Sequence, residues 1–407
     1  MAKFVKHADE LTLFLLAEAI RRFLVEPGFA DKILQRLFAE KKGLKDGDRW
    51  SVSEMFYDFL RNKRLLESGL DFTGYKPIEK AYMLSSAYFA WRGVNVPKRL
   101  ELPRLNIEAF IKRLEVNAAA NPAVALSVPD WLFTLGKAEL GDGWITELEA
   151  LSQPPKQVLR VNTMKITVSE LVNRLELQGF ECSQASEVNN GIVMGRKVNL
   201  FTTPEFHEGL FEVQDISSQR VAEMLAPKPG MTVLDACAGN GGKTLHIANL
   251  MENKGRLIAA DTMKWKLETL KFRAKRAGVF NIEIRHAVNA NAIASSNLMV
   301  DKLLLDVPCS GTGVWRRNPE ARWLMQESAL DKLHRQQHEI LFSYSAMVKT
   351  GGQMVYSTCS ILPSENHNQV AAFLNENKSF KLEKELQLLP SQTIGDGFFM
   401  ALLTRVE

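Results

Sequence analysis

Two cysteines sit just past the ends of apolar runs that read as strands. Cys309 lies in Asp306-Val307-Pro308-Cys309-Ser310-Gly311-Thr312-Gly313, and Cys359 in Tyr356-Ser357-Thr358-Cys359-Ser360. A thiolate is a strong nucleophile, and an acid such as Asp306 beside it can stabilise charge on a reacting group. Upstream, a third run ends in Asp235-Ala236-Cys237-Ala238-Gly239-Asn240-Gly241-Gly242-Lys243-Thr244. Glycines opening a helix let the backbone turn tightly and let a ligand approach main-chain N–H groups. Together the three segments outline a nucleotide-cofactor pocket with two thiols at its rim.

The glycine spacing is not Gly-x-Gly-x-x-Gly. Nor is it a phosphate loop, despite Gly242-Lys243-Thr244, because the earlier glycine such a loop requires is missing. Asp261 closes the next strand-like run, where an acid can hydrogen-bond both hydroxyls of a ribose or cap the following helix. Without a phosphate loop, an adenosine cofactor lacking phosphates fits, and S-adenosylmethionine is such a cofactor. Asp235, Cys237, Ala238, Gly239, Asn240, Gly241, Gly242, Lys243 and Asp261 are the candidate cofactor residues, with Asp306 at their edge. Cys237 itself reads as a buried structural thiol. Lys243 reads equally as a contact to cofactor or nucleophile loop and as a solvated first-turn lysine.

These motifs need elements to hold them. From about residue 222 onward, strand-like runs at 231–236, 256–261, 282–286, 301–306 and 353–357 alternate with helical stretches at 244–251, 264–277 and 330–348. That rhythm predicts a parallel sheet wrapped by helices, whose ligands bind outside the strand carboxyl ends. Every motif above lies at such an end. Before it, Pro154-Pro155 marks a turn, and a strand at 159–163, a helix at 169–177 and weak strands near 191–194 and 209–213 predict a small α+β subdomain. Residues 1–125 read as all-helical, with Leu13, Leu16, Ile20 and Phe23 at helical spacing. The expected division is therefore 1–125, 126–221 and 222–407.

Composition agrees with a folded chain of several domains: 407 residues, 46% hydrophobic and 24% charged. No apolar run approaches the ~18 residues of a membrane span, and the 11–24 stretch is broken by Glu18, Arg21 and Arg22. Four cysteines do not make a disulfide scaffold, and free thiols imply a reducing compartment, by default the cytoplasm. No Cys-x-x-Cys or His pair has ligand spacing, so no metal is expected. A net charge of +4 alone says little about partners.

The paired cysteines, Asp306 and the 235–244 loop resemble the RNA cytosine-5 methyltransferases (the Nol1/Nop2/Sun family), in particular those acting on bacterial small-subunit ribosomal RNA. The resemblance runs from about Leu159 to Glu407, with Ser127-Val128-Pro129-Asp130-Trp131-Leu132 ahead of it. It implies a class I, Rossmann-like methyltransferase domain, a small α+β RNA-binding subdomain and an all-α N-terminal domain similar to an antitermination factor's helical bundle. Two departures stand out. The family has Ala-Pro where this chain has Gly239-Asn240, and an aspartate for the adenine amino group where this chain reads Ala287-Val288-Asn289-Ala290-Asn291. An asparagine oxygen, from Asn289 or Asn291, can accept the same hydrogen bond.

What the resemblance implies chemically follows from cytosine. Carbon 5 is a poor nucleophile until a thiolate adds to carbon 6 and makes the ring an enamine. Asp306 is placed for ring nitrogen 3. In DNA cytosine methyltransferases the Pro-Cys thiol attacks, which would nominate Cys309. In the RNA family the Thr-Cys thiol attacks, making Cys359 the nucleophile and Cys309 the product-release residue, and Ser364-Glu365-Asn366 fits that family. A base reached this way must leave its stack. Trp315-Arg316-Arg317 beside the Pro-Cys loop suits phosphate contact and stacking, with Arg160 and Asn162 lining the same groove. The expected partner is RNA, ribosomal before transfer RNA, bound by a monomer. A silent RNA-binding assembly factor and a DNA methyltransferase are the rivals.

Overall fold

The N-terminal helices form because apolar residues recur where a helix turns them to one side. In this computed structural model, residues 9–41, 43–94, 105–287 and 298–407 are described. The helix Glu10–Val25 begins at Asp9, whose carboxylate accepts the Thr12 N–H at 2.7 Å. Leu13, Leu16, Ile20 and Phe23 all turn inward, into one core with Phe56, Phe59, Tyr88 and Phe89. Those partners come from the helices Asp46–Ser68 and Pro77–Arg92. No described helix is long and apolar enough to cross a membrane.

Contacts divide the chain into two units: Met1–Gln153 with Trp315–Glu327, and Pro154–Val314 with Ser328–Glu407. The expected boundary near residue 125 thus moves to 153. The helices Asp130–Leu140 and Gly143–Leu151 join the helical unit because Trp144, fully buried, packs edge-on against Trp315 with ring centroids 6.1 Å apart. On either side of residue 221 lie two separate sheets, which by contacts share this second unit.

In that second unit, β1 (Val158–Val161), β2 (Cys182–Gln184), β3 (Gly191–Met194) and β4 (Phe211–Val213) form an antiparallel sheet in the order β2-β3-β1-β4. Cys182 is buried in its core. The larger sheet contains β5 (Thr232–Asp235), β6 (Arg256–Asp261), β7 (Ile282–His286), β8 (Val300–Asp306), β9 (Val348–Thr358), β10 (Phe380–Leu388) and β11 (Phe398–Arg405). Their order is β10-β11-β9-β8-β5-β6-β7. β5 to β9 are parallel, as the alternation predicts, while β11 runs antiparallel between β9 and β10. The chain order reverses between β5 and β8, and a crevice for ligand opens at such a point.

Candidate active site

The cofactor loop is shaped by where its backbone hydrogen bonds go. Ala236 N–H reaches Leu304 O, Ala238 N–H reaches Ala260 O at 2.9 Å, and Gly239 N–H reaches Asp261 Oδ2 at 2.8 Å. Gly241 then caps the helix Gly242–Leu250 at φ +84°, and a Cβ there would lie 2.1 Å from Leu270. Only glycine meets both demands. Asp261 serves the loop on one side and, through Oδ1, the Met263 N–H at 2.7 Å on the other. Its carboxylate therefore ties β6, the loop and the next helix together.

Asp235, at the end of β5, is buried. One oxygen accepts the Thr244 hydroxyl at 2.7 Å, and the other makes no hydrogen bond among the described residues. Burial pushes its carboxyl up to about 7. The folded chain then holds a proton that the unfolded chain releases near pH 4. Stability should fall as pH rises from about 4 to about 7 and level off above. In Asp235→Asn that slope should flatten, read from urea unfolding at pH 5 and pH 7.5; an unaltered slope would refute the buried proton.

Lys243, on the first turn of the Gly242–Leu250 helix, is not a solvated lysine. Its Nζ lies 2.7 Å from Asp306 Oδ2 and over the Phe398 ring, and Ser357 Oγ donates to Asp306 Oδ1 at 3.0 Å. Asp306 closes β8 and Ser357 lies on the adjacent β9, so the acid is held from both sides. One turn further, Cys309 Sγ and Cys359 Sγ stand 3.4 Å apart. Two loops cross to achieve this: Gly313 N–H donates to Cys359 O at 2.9 Å, and Gly397 N–H to Gly313 O at 2.8 Å. A Cβ at Gly313 would sit 2.2 Å from Gly397 O, so the crossing excludes any side chain. Hydrogen bonding to Cys359, then burial, raises the Cys309 thiol far above its ordinary range. Cys309 is a proton-holding thiol. Burial likewise raises the thiol of Cys237, half-buried beside the loop, which fits an inert thiol better than a reactive one.

The other candidates are placed differently. Arg160 is buried and donates to Gln214 Oε1 and, at 2.6 Å, to Gly242 O; desolvation lowers it to about 9. Asn162 is buried too, donating to Gly209 O at 2.9 Å and Ala277 O at 2.8 Å. Asn162 Oδ1 also accepts from Asn249 Nδ2 at 3.0 Å, so both residues brace the Gly242–Leu250 helix against the small sheet rather than line a groove. Arg316 is buried in the helical unit, with Nε donating to Ala150 O at 2.8 Å and its carbonyl accepting from Arg61 at 2.7 Å. Trp315 is fully buried. The RNA-facing reading of Arg160, Asn162, Trp315 and Arg316 is thereby corrected: they fill and brace the interior. Arg317 is half-buried and also engaged. Asn289 and Asn291 lie outside the described residues. Among the described residues no group of His, Cys, Asp or Glu could hold a metal ion.

Sequence reading gives no role to Ser357, Gln337 or Glu365, the last noted only as part of Ser364-Glu365-Asn366. Glu365 is fully buried and gathers hydrogen bonds from the Cys309 loop. In sequence Glu365 is only a charge between the polar residues Ser364 and Asn366, with nothing to mark it as buried.

Comparison with known proteins supplies independent information. Residues 222–404 match the family model described as 16S rRNA methyltransferase RsmB/F, and residues 128–200 match its ferredoxin-like domain model. The chain is 30% identical to the probable ribosomal RNA small subunit methyltransferase B of Synechocystis, covering 98% of this chain and 99% of that protein. It is 37% identical to the ribosomal RNA small subunit methyltransferase B of Proteus mirabilis, over 68% of this chain and 65% of that protein. The matched segment thus spans less than two thirds of the Proteus protein. A crystal structure of a methyltransferase homolog protein from Pyrococcus horikoshii superposes with a TM-score of 0.63 at 29% identity, over 70% of this chain and 97% of that one.

Proposed function

Since the chain belongs to the RsmB/F family of 16S rRNA methyltransferases, we propose that it methylates carbon 5 of a cytosine in small-subunit ribosomal RNA. One observation carries the chemistry: two thiols 3.4 Å apart, beside an acid held by Lys243 and Ser357, at the carboxyl ends of adjacent strands. A DNA-type enzyme has no use for the second thiol. In this reading the chain works as a monomer in the cytoplasm.

S-adenosylmethionine fits the residues present. Asp261 can accept from ribose hydroxyls, and the loop N–H groups line its approach. When bound, the cofactor supplies an electrophilic methyl group. The chain's own residues do the rest. Cys359 Sγ adds to carbon 6 of a cytosine turned out of its stack, its thiol proton passes to nitrogen 3, and the Asp306 carboxylate, held by Lys243, accepts the new N3–H. With the cofactor bound, carbon 5 would take its methyl group; the carbon-5 proton then passes to water, and the electrons of that C–H bond form the 5,6 double bond as the C6–S bond breaks and the Cys359 thiolate leaves. Cys309, holding its proton 3.4 Å from the attacking sulfur, assists that departure.

Cofactor binding is tested with Asp261→Ala. It should weaken S-adenosylmethionine by about 1.5–3 kcal/mol, the scale of a lost hydrogen bond to a charged group. Unchanged affinity by calorimetry in a folded variant would remove Asp261 from the site. The reaction is tested by bisulfite sequencing of ribosomal RNA incubated with the protein and S-adenosylmethionine. New protected cytosines in small-subunit RNA support the assignment; protection confined to transfer RNA changes the substrate, and none at all leaves the silent assembly factor.

A further inference from the structure

We propose that Glu365 is a positioning residue for Cys309: it fixes the release thiol against the attacking one, so that the two keep separate roles. This rests on the two-thiol reading above.

Glu365 ends a short 3-10 turn, Pro363–Glu365, six residues after Cys359. Its side chain is fully buried, and its carbonyl oxygen is held by the Tyr356 hydroxyl at 2.7 Å. Three donors converge on the carboxylate. Ser310 N–H reaches Oε1 at 2.8 Å, Gln337 Nε2 reaches the same oxygen at 3.0 Å, and Ser310 Oγ donates to Oε2. Gln337 Nε2 also donates to Pro308 O at 2.9 Å. Pro308 and Ser310 flank Cys309, so the residues on both sides of the thiol are referred to one carboxylate.

The second loop meets the same serine, with Ser310 Oγ 3.2 Å from Ser360 Oγ. Thr312 Oγ1 lies 2.9 Å from Ser360 Oγ and accepts the Ile361 N–H at 3.0 Å. Cys309 and Cys359 thus share one polar frame with Glu365 at its centre. The chemistry explains the residue type. Three donors meeting one group require an acceptor with no hydrogen to place, which a carboxylate is and an amide is not. A negative charge fixed one residue from Cys309 also opposes formation of a second thiolate, adding to the contact with Cys359 and to burial. None of these contacts touches the reacting ring, so the role is positional.

The test uses Glu365→Gln in the full chain, with Ser310→Ala as a milder variant that deletes one hydroxyl. Both should bind S-adenosylmethionine and RNA as the parent does. In Glu365→Gln, kcat should fall by up to about 10²-fold, the cost of a displaced reacting group, with KM unchanged. A denaturation-resistant RNA–protein adduct should accumulate, as release slows more than attack. Independently of RNA, the pH profile of Cys309 alkylation by iodoacetamide, read by mass spectrometry in a Cys359→Ser background, should move to lower pH when Glu365→Gln is added. Ser310→Ala should move each readout the same way by less. A folded Glu365→Gln with parental kcat, no adduct and an unmoved profile overturns the proposal. Should Glu365→Gln not fold, the Ser310→Ala profile decides alone: moved supports, unmoved overturns. If the profile moves while Cys359→Ala stays active, the frame is right and the two-thiol mechanism fails.

Discussion

Replacing Cys359 by alanine is expected to abolish methyl transfer, by roughly 10³-fold or more as for loss of a nucleophile elsewhere, and to leave no covalent RNA complex. Replacing Cys309 is expected to do the opposite with the complex. That variant still attacks carbon 6 and methylates carbon 5, then fails to let go. A protein–RNA band surviving denaturing gels should accumulate in Cys309→Ala alone and vanish in the double variant. The 3.4 Å contact makes the contrast sharp, because either thiol stands within reach of the same ring. A trapped band with Cys359→Ala instead would reverse the roles, as in DNA enzymes. No band in either, with activity retained, would remove cysteine chemistry altogether.

Trp315→Ala is expected to be as large in stability as the thiol changes are in rate. The indole is fully buried in the helical unit, edge-on to Trp144, with the buried Arg322 guanidinium over its ring at 5.0 Å. Truncating such a residue costs about 3–5 kcal/mol. Guanidinium unfolding followed by helical circular dichroism should show an early transition shifted to lower denaturant. A loss below about 1 kcal/mol would place Trp315 outside that core. RNA affinity in the folded variant should change little, since the ring faces no solvent.

What sequence could tell depended on whether the signal was local. The 235–244 loop and both thiols were legible because each follows a short apolar run, and a parallel sheet puts such ends on one edge. Lys243 was ambiguous because its partner Asp306 lies on another strand. In sequence Trp315, Arg316 and Arg160 resemble a nucleic-acid surface, because aromatics and arginines compose both stacking platforms and buried braces. Only partners such as Ala150 and Gly242 separate the two. The edge strand β10 escaped because Lys381, Glu383, Lys384 and Glu385 give it the polar look of a loop, while charge on an edge strand is a common defence against wrong pairing. The helix expected to reach residue 348 ends at Ser345 because β9 takes over at Val348.

The Trp315–Glu327 insertion also governs the order in which this chain can fold as it is made. The Arg61–Arg316 hydrogen bond spans 255 residues and the Ala30–Glu320 bond spans 290. The first helices leave the ribosome early, yet the residues that complete their core emerge only after β8 has been synthesised. At ~5–20 residues per second that is a delay on the order of 10 s or more, during which the groove that receives Trp315 stays open. Closure of the helical unit is therefore a post-translational or late cotranslational event with high contact order. A ribosome stalled just before residue 315 should display that unit as protease-sensitive, and one stalled well past residue 327 should display it as resistant.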